Sequence, residues 1–319
     1  MIRAFTVFFL CLNLIAGPAL ALDTRARAAV VIDINTGATL LEKNADTALP
    51  PASMSKLMTL YMVFEALKEG RLGLTSKFRV SENAWQLEGS SMFLKAGDSV
   101  SIEDLLRGVI VQSGNDACVV LAEGLAGSET EFANRMTKRA RQLGFENSSF
   151  ANSTGLPHPD HVMSARDLAK LAQLIITEFP EYYTYFAETK FTWEGITQEN
   201  RNPLLYQNIG ADGLKTGHTE EAGYGLVGSA VQDERRIVFV VMGLASVRAR
   251  AEESERIAGW AFREFSTETV FAANAVVASG NVWLGALDQV DLVAGRDISI
   301  LDPYAARADI TAEAIFNTP

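Results

Sequence analysis

The sequence predicts an α+β fold in which helices cover an antiparallel β-sheet, followed by a short C-terminal β module. Three observations carry this expectation. Strand-type runs stand at both ends of the main body, from Ala28 to Leu41 and again from Gly213 to Leu244. Between them, apolar residues recur at helical spacing with polar caps at the breaks. After Ser266 short apolar or alternating runs take over. Strands and helices gathered in separate runs are the α+β pattern.

At 319 residues the chain has room for one large domain and a smaller one. A formal charge of −11 with no basic stripe excludes nucleic acid as a partner. An anionic ligand must therefore be held by a few local cations. Arg3, the apolar run Val7 to Ile15 and the small-residue end Ala19-Leu20-Ala21 form a secretory signal pattern, with cleavage expected after Ala21. The mature chain is expected in the periplasm or cell envelope. Cys11 leaves with the signal, and the preceding Phe9-Leu10 lacks the small residue of a lipoprotein signal. Cys118 then has no intramolecular partner, and its neighbours Ala117, Val119, Val120 and Leu121 predict burial. The expected organisation is a signal at 1–21, a main domain at 22–265 and a β-rich module at 266–319.

In chain order, Ala28 to Ile34 and Ala38 to Leu41 flank Asn35-Thr36-Gly37 and read as a hairpin. Pro51-Ala52-Ser53-Met54-Ser55-Lys56 then opens a helical run of Leu57, Met58, Leu60, Tyr61, Phe64 and Leu67, with Gly70 at the expected C-cap. This places Ser53 at a helix N-terminus, where unpaired N–H groups and the dipole favour a developing negative charge. Lys56 shares its face. The pair is either an amine-activated nucleophile or an N-cap followed by a solvated lysine. Ser-x-x-Lys arises by chance about once in a chain of this size.

From Gly70 to about Gly97, turn residues mix with Trp85, Met92, Phe93 and Leu94, the composition of a cleft wall or of a long packed connection. Ser101 with Glu103-Asp104 opens a helix of Leu105, Leu106, Val109 and Ile110. It stops at Ser113-Gly114-Asn115, and a second apolar helix resumes from about Asp116. Spacing alone favours a capping turn there over a polar finger aimed into a site. Helices follow from Phe132 to Leu143 and from Ala165 to Phe179, separated by Asn152-Ser153-Thr154-Gly155-Leu156. Ser164 to Asp167 reads as a capping box, with Asp167 serving the cap. His158 and His161 lack a further spaced ligand pair, so they read as a solvated loop and no metal is expected.

From Gly213 the pattern turns to antiparallel strands: Lys215-Thr216-Gly217-His218-Thr219 leading into Tyr224 to Ala230, then Arg236 to Leu244, a fully apolar central strand. Ala251 to Phe265 is an amphipathic helix whose Ile257, Trp260, Ala261 and Phe265 would pack on that sheet. Beyond it, Ala275 to Val277, Val282 to Leu284, Val290 to Val293 and Ile298 to Leu301 read as a small β module, marginal for independent folding.

Ser53-x-x-Lys56, Ser113-x-Asn115 and Lys215-Thr216-Gly217 occur in that order. Lys-Thr-Gly alone arises by chance in about one chain in ten, and the ordered triple is rarer. It is the motif set of penicillin-binding proteins and class A β-lactamases. Gln112 to Cys118, Ser164 to Asp167, Asn200-Arg201-Asn202-Pro203-Leu204-Leu205 and Gly213 to Thr219 extend the likeness. From roughly Arg25 to Phe265 the chain resembles the low-molecular-mass D-alanyl-D-alanine carboxypeptidases. The resemblance implies the transpeptidase fold shared with serine β-lactamases, and no cofactor.

It also implies roles. Ser53 would attack the penultimate D-alanine carbonyl of a peptidoglycan pentapeptide, with Lys56 as base. An ordinary lysine is neutral in fewer than about one molecule in a thousand at pH 7, so burial and a nearby cation, with Lys215 the candidate, would have to lower its pKa. Backbone N–H groups of Ser53 and His218 would form the oxyanion hole. Ser113 would relay a proton to the departing amine, and Asn115 would orient the substrate amide. Lys215, Thr216 and Arg250 would receive the terminal carboxylate, with Gly217 and His218 beside them. Arg201 either joins them or holds its own loop together.

β-Lactams are expected as covalent inhibitors. Rival readings are a DD-endopeptidase, a serine β-lactamase and a non-catalytic wall-binding relative. The class A glutamate pattern Glu-x-x-Leu-Asn is absent from the mature chain. The resemblance also implies a longer C-terminal β domain and often a final amphipathic anchor; the β module here is expected to be either naturally short or incomplete, with no anchor-like pattern near Pro319 to support membrane association.

Overall fold

The computed structural model describes residues 22–282 and 287–303. The expected signal, Trp283 and Leu284, and residues 304–319 lie outside the described residues. The architecture is α+β. A hairpin of β1 (Ala28–Asp33) and β2 (Thr39–Lys43) leads through a 3-10 turn at Ala52–Ser55 into α1 (Lys56–Lys68). Ten of the thirteen residues of α1 are buried, so this is a helix enclosed on nearly every side. Gly70 follows it with φ 71°, as the C-cap spacing predicts.

The stretch from Gly70 to Gly97 carries β3 (Lys77–Arg79) and α2 (Glu82–Gln86). Met92 and Leu94 are buried while Phe93 is half exposed. β4 (Ser99–Ser101) pairs with β3, and Ser101 then caps α3 (Ile102–Ile110), its Oγ accepting from the Asp104 N–H at 3.1 Å. α4 (Asn115–Ala126) and α5 (Glu129–Gln142) follow, then α6 (Ala165–Glu178) and the short α7 (Pro180–Tyr183). The hairpin of β5 (Lys190–Trp193) and β6 (Ile196–Glu199) is an addition to the sequence reading. Its signal was present: Glu194-Gly195, at φ 46° and 80°, turns between aromatic and β-branched residues.

The chain closes the main sheet with β7 (Ala211–Thr219), β8 (Gly223–Gln232) and β9 (Arg235–Leu244). All pairings are antiparallel and the strand order is β2-β1-β9-β8-β7. β9 is central and has a core on both faces. Val238, Val240 and Met242 join the large cluster under α1 and α6, whereas Ile237, Phe239 and Val241 join a second cluster under α8 (Val247–Glu264). Period-2 alternation between two cores is why the strand reads as uniformly apolar.

Three local expectations are corrected. α8 starts at Val247, not Ala251, because Ser246 accepts from the Ala249 N–H at 3.0 Å; Phe265 leaves the helix and opens β10 (Phe265–Phe271). Ser164 alone caps α6, at 3.1 Å from the Asp167 N–H, while the Asp167 carboxylate turns to Asn147 N–H and Ser148 Oγ at 3.1 and 2.7 Å. His161 is buried rather than solvated, edge-on to Phe150 with ring centroids 5.5 Å apart, and burial brings its pKa down to about 4. His158 stays exposed. Past α8, β10 pairs with β13 (Ile298–Pro303) and β11 (Val276–Asn281) with β12 (Gln289–Val293), two small two-stranded sheets.

Replacing the buried Ser164 cap by alanine should lower unfolding stability by about 1 kcal/mol in a denaturant titration, since one N–H of α6 loses its acceptor. An unchanged midpoint would show that the cap contributes nothing.

Candidate active site

Two non-glycine residues with positive φ frame the site: Ala52 (49°), directly before Ser53, and Ser113 (61°), at the break between α3 and α4. Such conformations cost about 1–3 kcal/mol each and persist where the surroundings over-determine them. At Ala52 the surroundings are two glycines. A Cβ on Gly155 would lie 2.0 Å from the Ala52 carbonyl oxygen, and one on Gly217 would lie 2.9 Å from the Pro51 oxygen. The 152–155 turn and strand β7 can therefore close on the Ser53 turn from two directions only because both positions lack a side chain.

Lys56, the first residue of α1, is fully buried. Its Nζ donates to Ser53 Oγ at 2.8 Å, to Asn115 Oδ1 at 2.8 Å and to the Thr154 carbonyl at 2.5 Å. Two of these partners, a carbonyl and an amide oxygen, can only accept. They hold two N–H bonds of the amine whatever its charge, and leave its third position facing a hydroxyl that can donate as well as accept. A neutral Lys56 thus has its lone pair directed at the Ser53 proton. Burial brings the Lys56 pKa down to about 8, and the Arg201 guanidinium pushes the same way. At pH 7 about one molecule in ten then carries the free amine, a gain of about three-hundredfold over an ordinary lysine. Lys215, expected to be the assisting cation, is itself held well below its ordinary value by burial, with Lys56 and Arg201 adding to the effect.

The break between α3 and α4 is a finger into the site, not a capping turn. Gly114 occupies the N-cap position and supplies no side chain. Ser113 Oγ accepts from Lys215 Nζ at 2.9 Å, and that Nζ also reaches the Thr216 carbonyl at 3.1 Å. Asn115 gives Oδ1 to Lys56 and donates Nδ2 to the Glu88 carbonyl at 2.9 Å. Ser90 of the 88–94 stretch lines the cleft, whereas Met92 and Leu94 are buried in the core. Cys118 is fully buried, and burial pushes its thiol up to about 12, so it is inert.

Ser53, Ser113, Thr216, His218, Arg201 and Arg250 line a cleft of about 500 Å³, with Gly217 in its floor. His218 stacks on Tyr224 with centroids 3.8 Å apart, and the Arg250 guanidinium lies 5.9 Å from the same ring. Arg201 Nη1 donates to Ser90 Oγ at 2.6 Å, across the cleft. Burial lowers the pKa of both arginines. Among the described residues, none of Lys56, Lys215, Arg201 and Arg250 has a carboxylate within 4.0 Å. Arg201 and Arg250, which line the cleft without a carboxylate partner, make a receptor for an anion in an acidic protein. The described residues hold no cluster of His, Cys, Asp and Glu suited to a metal.

The structure thus brings together Ser53, Lys56, Ser113, Asn115, Lys215, Thr216, Gly217, His218 and Arg250, contributed by four separate stretches of chain. Sequence reasoning missed Thr154, Gly155, Glu88, Ser90 and Tyr224. Thr154 and Glu88 act through backbone carbonyls, which carry no residue signature; only the turn chemistry of Asn152 to Gly155 pointed to the spot.

The family model of D-alanyl-D-alanine carboxypeptidase matches residues 16–246, and that of the penicillin-binding protein 5 C-terminal domain matches residues 265–319. The chain is 42% identical over 301 residues to D-alanyl-D-alanine carboxypeptidase DacC of Escherichia coli, covering 92% of this chain and 75% of the relative. It superposes on penicillin-binding protein 5 from Haemophilus influenzae with a TM-score of 0.82 at 39% identity, over 89% of this chain and 84% of that one. Penicillin-binding protein D2 from Listeria monocytogenes in its ampicillin-bound form gives 0.69 at 31% identity, over 76% and 98%.

Gly155→Ala should displace the Ser53 turn by the ångström that the Ala52 carbonyl must yield. A misplacement of that size costs about a hundredfold in rate, to be read as slower labelling by benzylpenicillin in a folded variant. Labelling at the parental rate would show that the close approach is not needed.

Proposed function

The chain belongs to the D-alanyl-D-alanine carboxypeptidase family, and on that premise we propose that Ser53 attacks the terminal D-Ala-D-Ala bond of peptidoglycan stem peptides as a serine-type hydrolase. The observation that carries this reading is the Lys56 amine, buried and 2.8 Å from Ser53 Oγ, with two acceptor-only partners on its other N–H bonds.

Ser53 Oγ adds to the carbonyl carbon of the penultimate D-alanine while its proton passes to the neutral Lys56 Nζ. Backbone N–H groups of Ser53 and His218 take the oxyanion, a device worth about 3–4 kcal/mol per donor. The carbon–nitrogen bond then breaks, and the departing amine receives a proton through Ser113, whose Oγ is polarised by Lys215. Thr216, Lys215 and Arg250 hold the terminal carboxylate and Arg201 adds to the same field. Asn115 orients the substrate amide. D-Alanine leaves, and water hydrolyses the Ser53 ester. A β-lactam acylates the same oxygen, but its leaving amine remains tethered and the adduct clears slowly. Export under a signal at 1–21 would bring the peptidase unit, 22–265, and the β-rich module, 266–319, to the cell envelope, where that substrate is. No helix among the described residues is long and apolar enough to cross a membrane.

Intact mass after incubation with benzylpenicillin should show one lasting adduct on the parent and none on Ser53→Ala, and the parent should release D-alanine from a peptide ending in D-Ala-D-Ala. Rapid turnover without an adduct would instead favour a β-lactamase.

The acylation rate should also follow Lys56. Its depressed pKa of about 8 means the amine is protonated below that pH and free above it. The rate should rise about tenfold per pH unit up to about pH 8 and level off beyond. A rate falling with pH over this range would remove Lys56 as the base.

A further inference from the structure

The mechanism above makes no use of Asp116, yet its carboxylate is among the most heavily engaged groups of the protein. It is 1% exposed. Ser91 Oγ donates to Oδ2 at 2.6 Å, the Leu94 N–H to Oδ2 at 3.1 Å, the Met92 N–H to both oxygens at 3.1 and 3.2 Å, and its neighbour's Ala117 N–H to Oδ1 at 2.9 Å. No cation lies within 4.0 Å of it among the described residues. A buried carboxylate held by N–H and O–H donors alone is expensive to bury and rigid once its donors are in place.

What it grips is the segment that aims Asn115. With the Met92 and Leu94 N–H groups both bound to Asp116, Phe93 between them is forced outward at φ 66°, a conformation that a bulky residue rarely adopts. The same segment supplies both fixed partners of Asn115: the Ser90 carbonyl accepts its backbone N–H at 2.6 Å and the Glu88 carbonyl accepts its Nδ2 at 2.9 Å. Because Glu88 offers only an acceptor, it holds the Asn115 amide with Nδ2 outward and Oδ1 on Lys56. Gly114 completes the fit, since a Cβ there would meet Asp116 Oδ1 at 2.8 Å and the Met92 N at 3.3 Å.

We propose that Asp116 is a positioning residue for the acylating site: by clamping residues 91–94 against the first turn of α4 it fixes the Asn115 amide, and so the direction in which Lys56 presents its lone pair to Ser53. The proposal rests on the reading that Ser53 is the acylated serine and Lys56 its base.

If Asp116 acts through Asn115, its removal should matter only while Asn115 is present. The experiment is a double-variant cycle on the second-order rate of benzylpenicillin acylation, with Asp116→Asn and Asn115→Ala singly and together. Thermal unfolding is recorded for each protein. Asp116→Asn keeps the shape but offers one acceptor in place of two and adds an N–H₂ facing donors. It should slow acylation about thirtyfold or more in the parental background, and by less than about threefold when Asn115 is already alanine. Equal losses in both backgrounds would overturn the proposal, since a general loosening of the fold slows both alike. Should Asp116→Asn not fold, Ser91→Ala removes one donor to the same carboxylate. A loss of a few fold with Asn115 present and none without it supports the clamp, and equal losses refute it. An unreactive parent protein would instead sink the Ser53 reading itself.

Discussion

One buried amine sets the terms for the rest of the molecule. Lys56 Nζ has room for three partners, and it finds them on three separate parts of the chain: Ser53 on its own turn, Asn115 at the start of α4 and the Thr154 carbonyl in the loop before α6. A lysine in an apolar helix-packed interior would be costly if any of these were lost, because an unpaired charge or donor there has no water to turn to. Enclosure of α1 by the helices and by the sheet is what excludes that water. The same enclosure depresses the amine toward neutrality, so the packing that stabilises the fold also prepares the base.

Bringing three chain segments onto one nitrogen requires backbone approaches that ordinary residues do not permit. Gly155 and Gly217 are two such places, each facing a carbonyl of the Ser53 turn. Ala52 and Ser113 absorb the remaining geometry as left-handed residues. The strain is local and the compensation is distributed: Asn152 Oδ1 accepts from Thr154 N–H, Thr154 Oγ1 and Gly155 N–H, and Glu129 accepts from Ser153 N–H and Oγ, so the loop that carries Thr154 is fixed from both sides.

The charge pattern is the inverse of the whole. A protein of formal charge −11 lines a cleft of about 500 Å³ with Arg201 and Arg250, and buries Lys56 and Lys215 behind the lining residues Ser53 and Ser113. Their mutual repulsion and burial are tolerated because each keeps hydrogen-bonding or aromatic company without a carboxylate: Ser113 for Lys215, Ser90 for Arg201, Tyr224 for Arg250. A substrate carboxylate entering this cleft would be the missing counter-ion, which gives binding a direction that the negative surface does not.

By itself the sequence determined what local chemistry can write. Alternating and 3.6-residue patterns gave the hairpin, the long helices and the central strand, because burial on a pleat or a helix face imposes those periods. Ser53, Lys56 and Lys215 stood out only through the ordered set of motifs that resembles a known family, since each motif's spacing alone also arises by chance. Other features had no such period to announce them. Ser113 to Asn115 reads locally as a cap and becomes a finger only when Lys215 and Lys56 arrive from elsewhere. The Asp167 carboxylate turns away from its own helix to the 147–148 loop, and His161 packs edge-on to Phe150, which the chain brings to it from outside its own loop turn. Thr154 and Glu88 contribute carbonyls that every residue owns. Which backbone oxygen meets the amine, and which glycine must stay bare for it to do so, is decided by contacts between distant segments, and those exist only once the chain has packed.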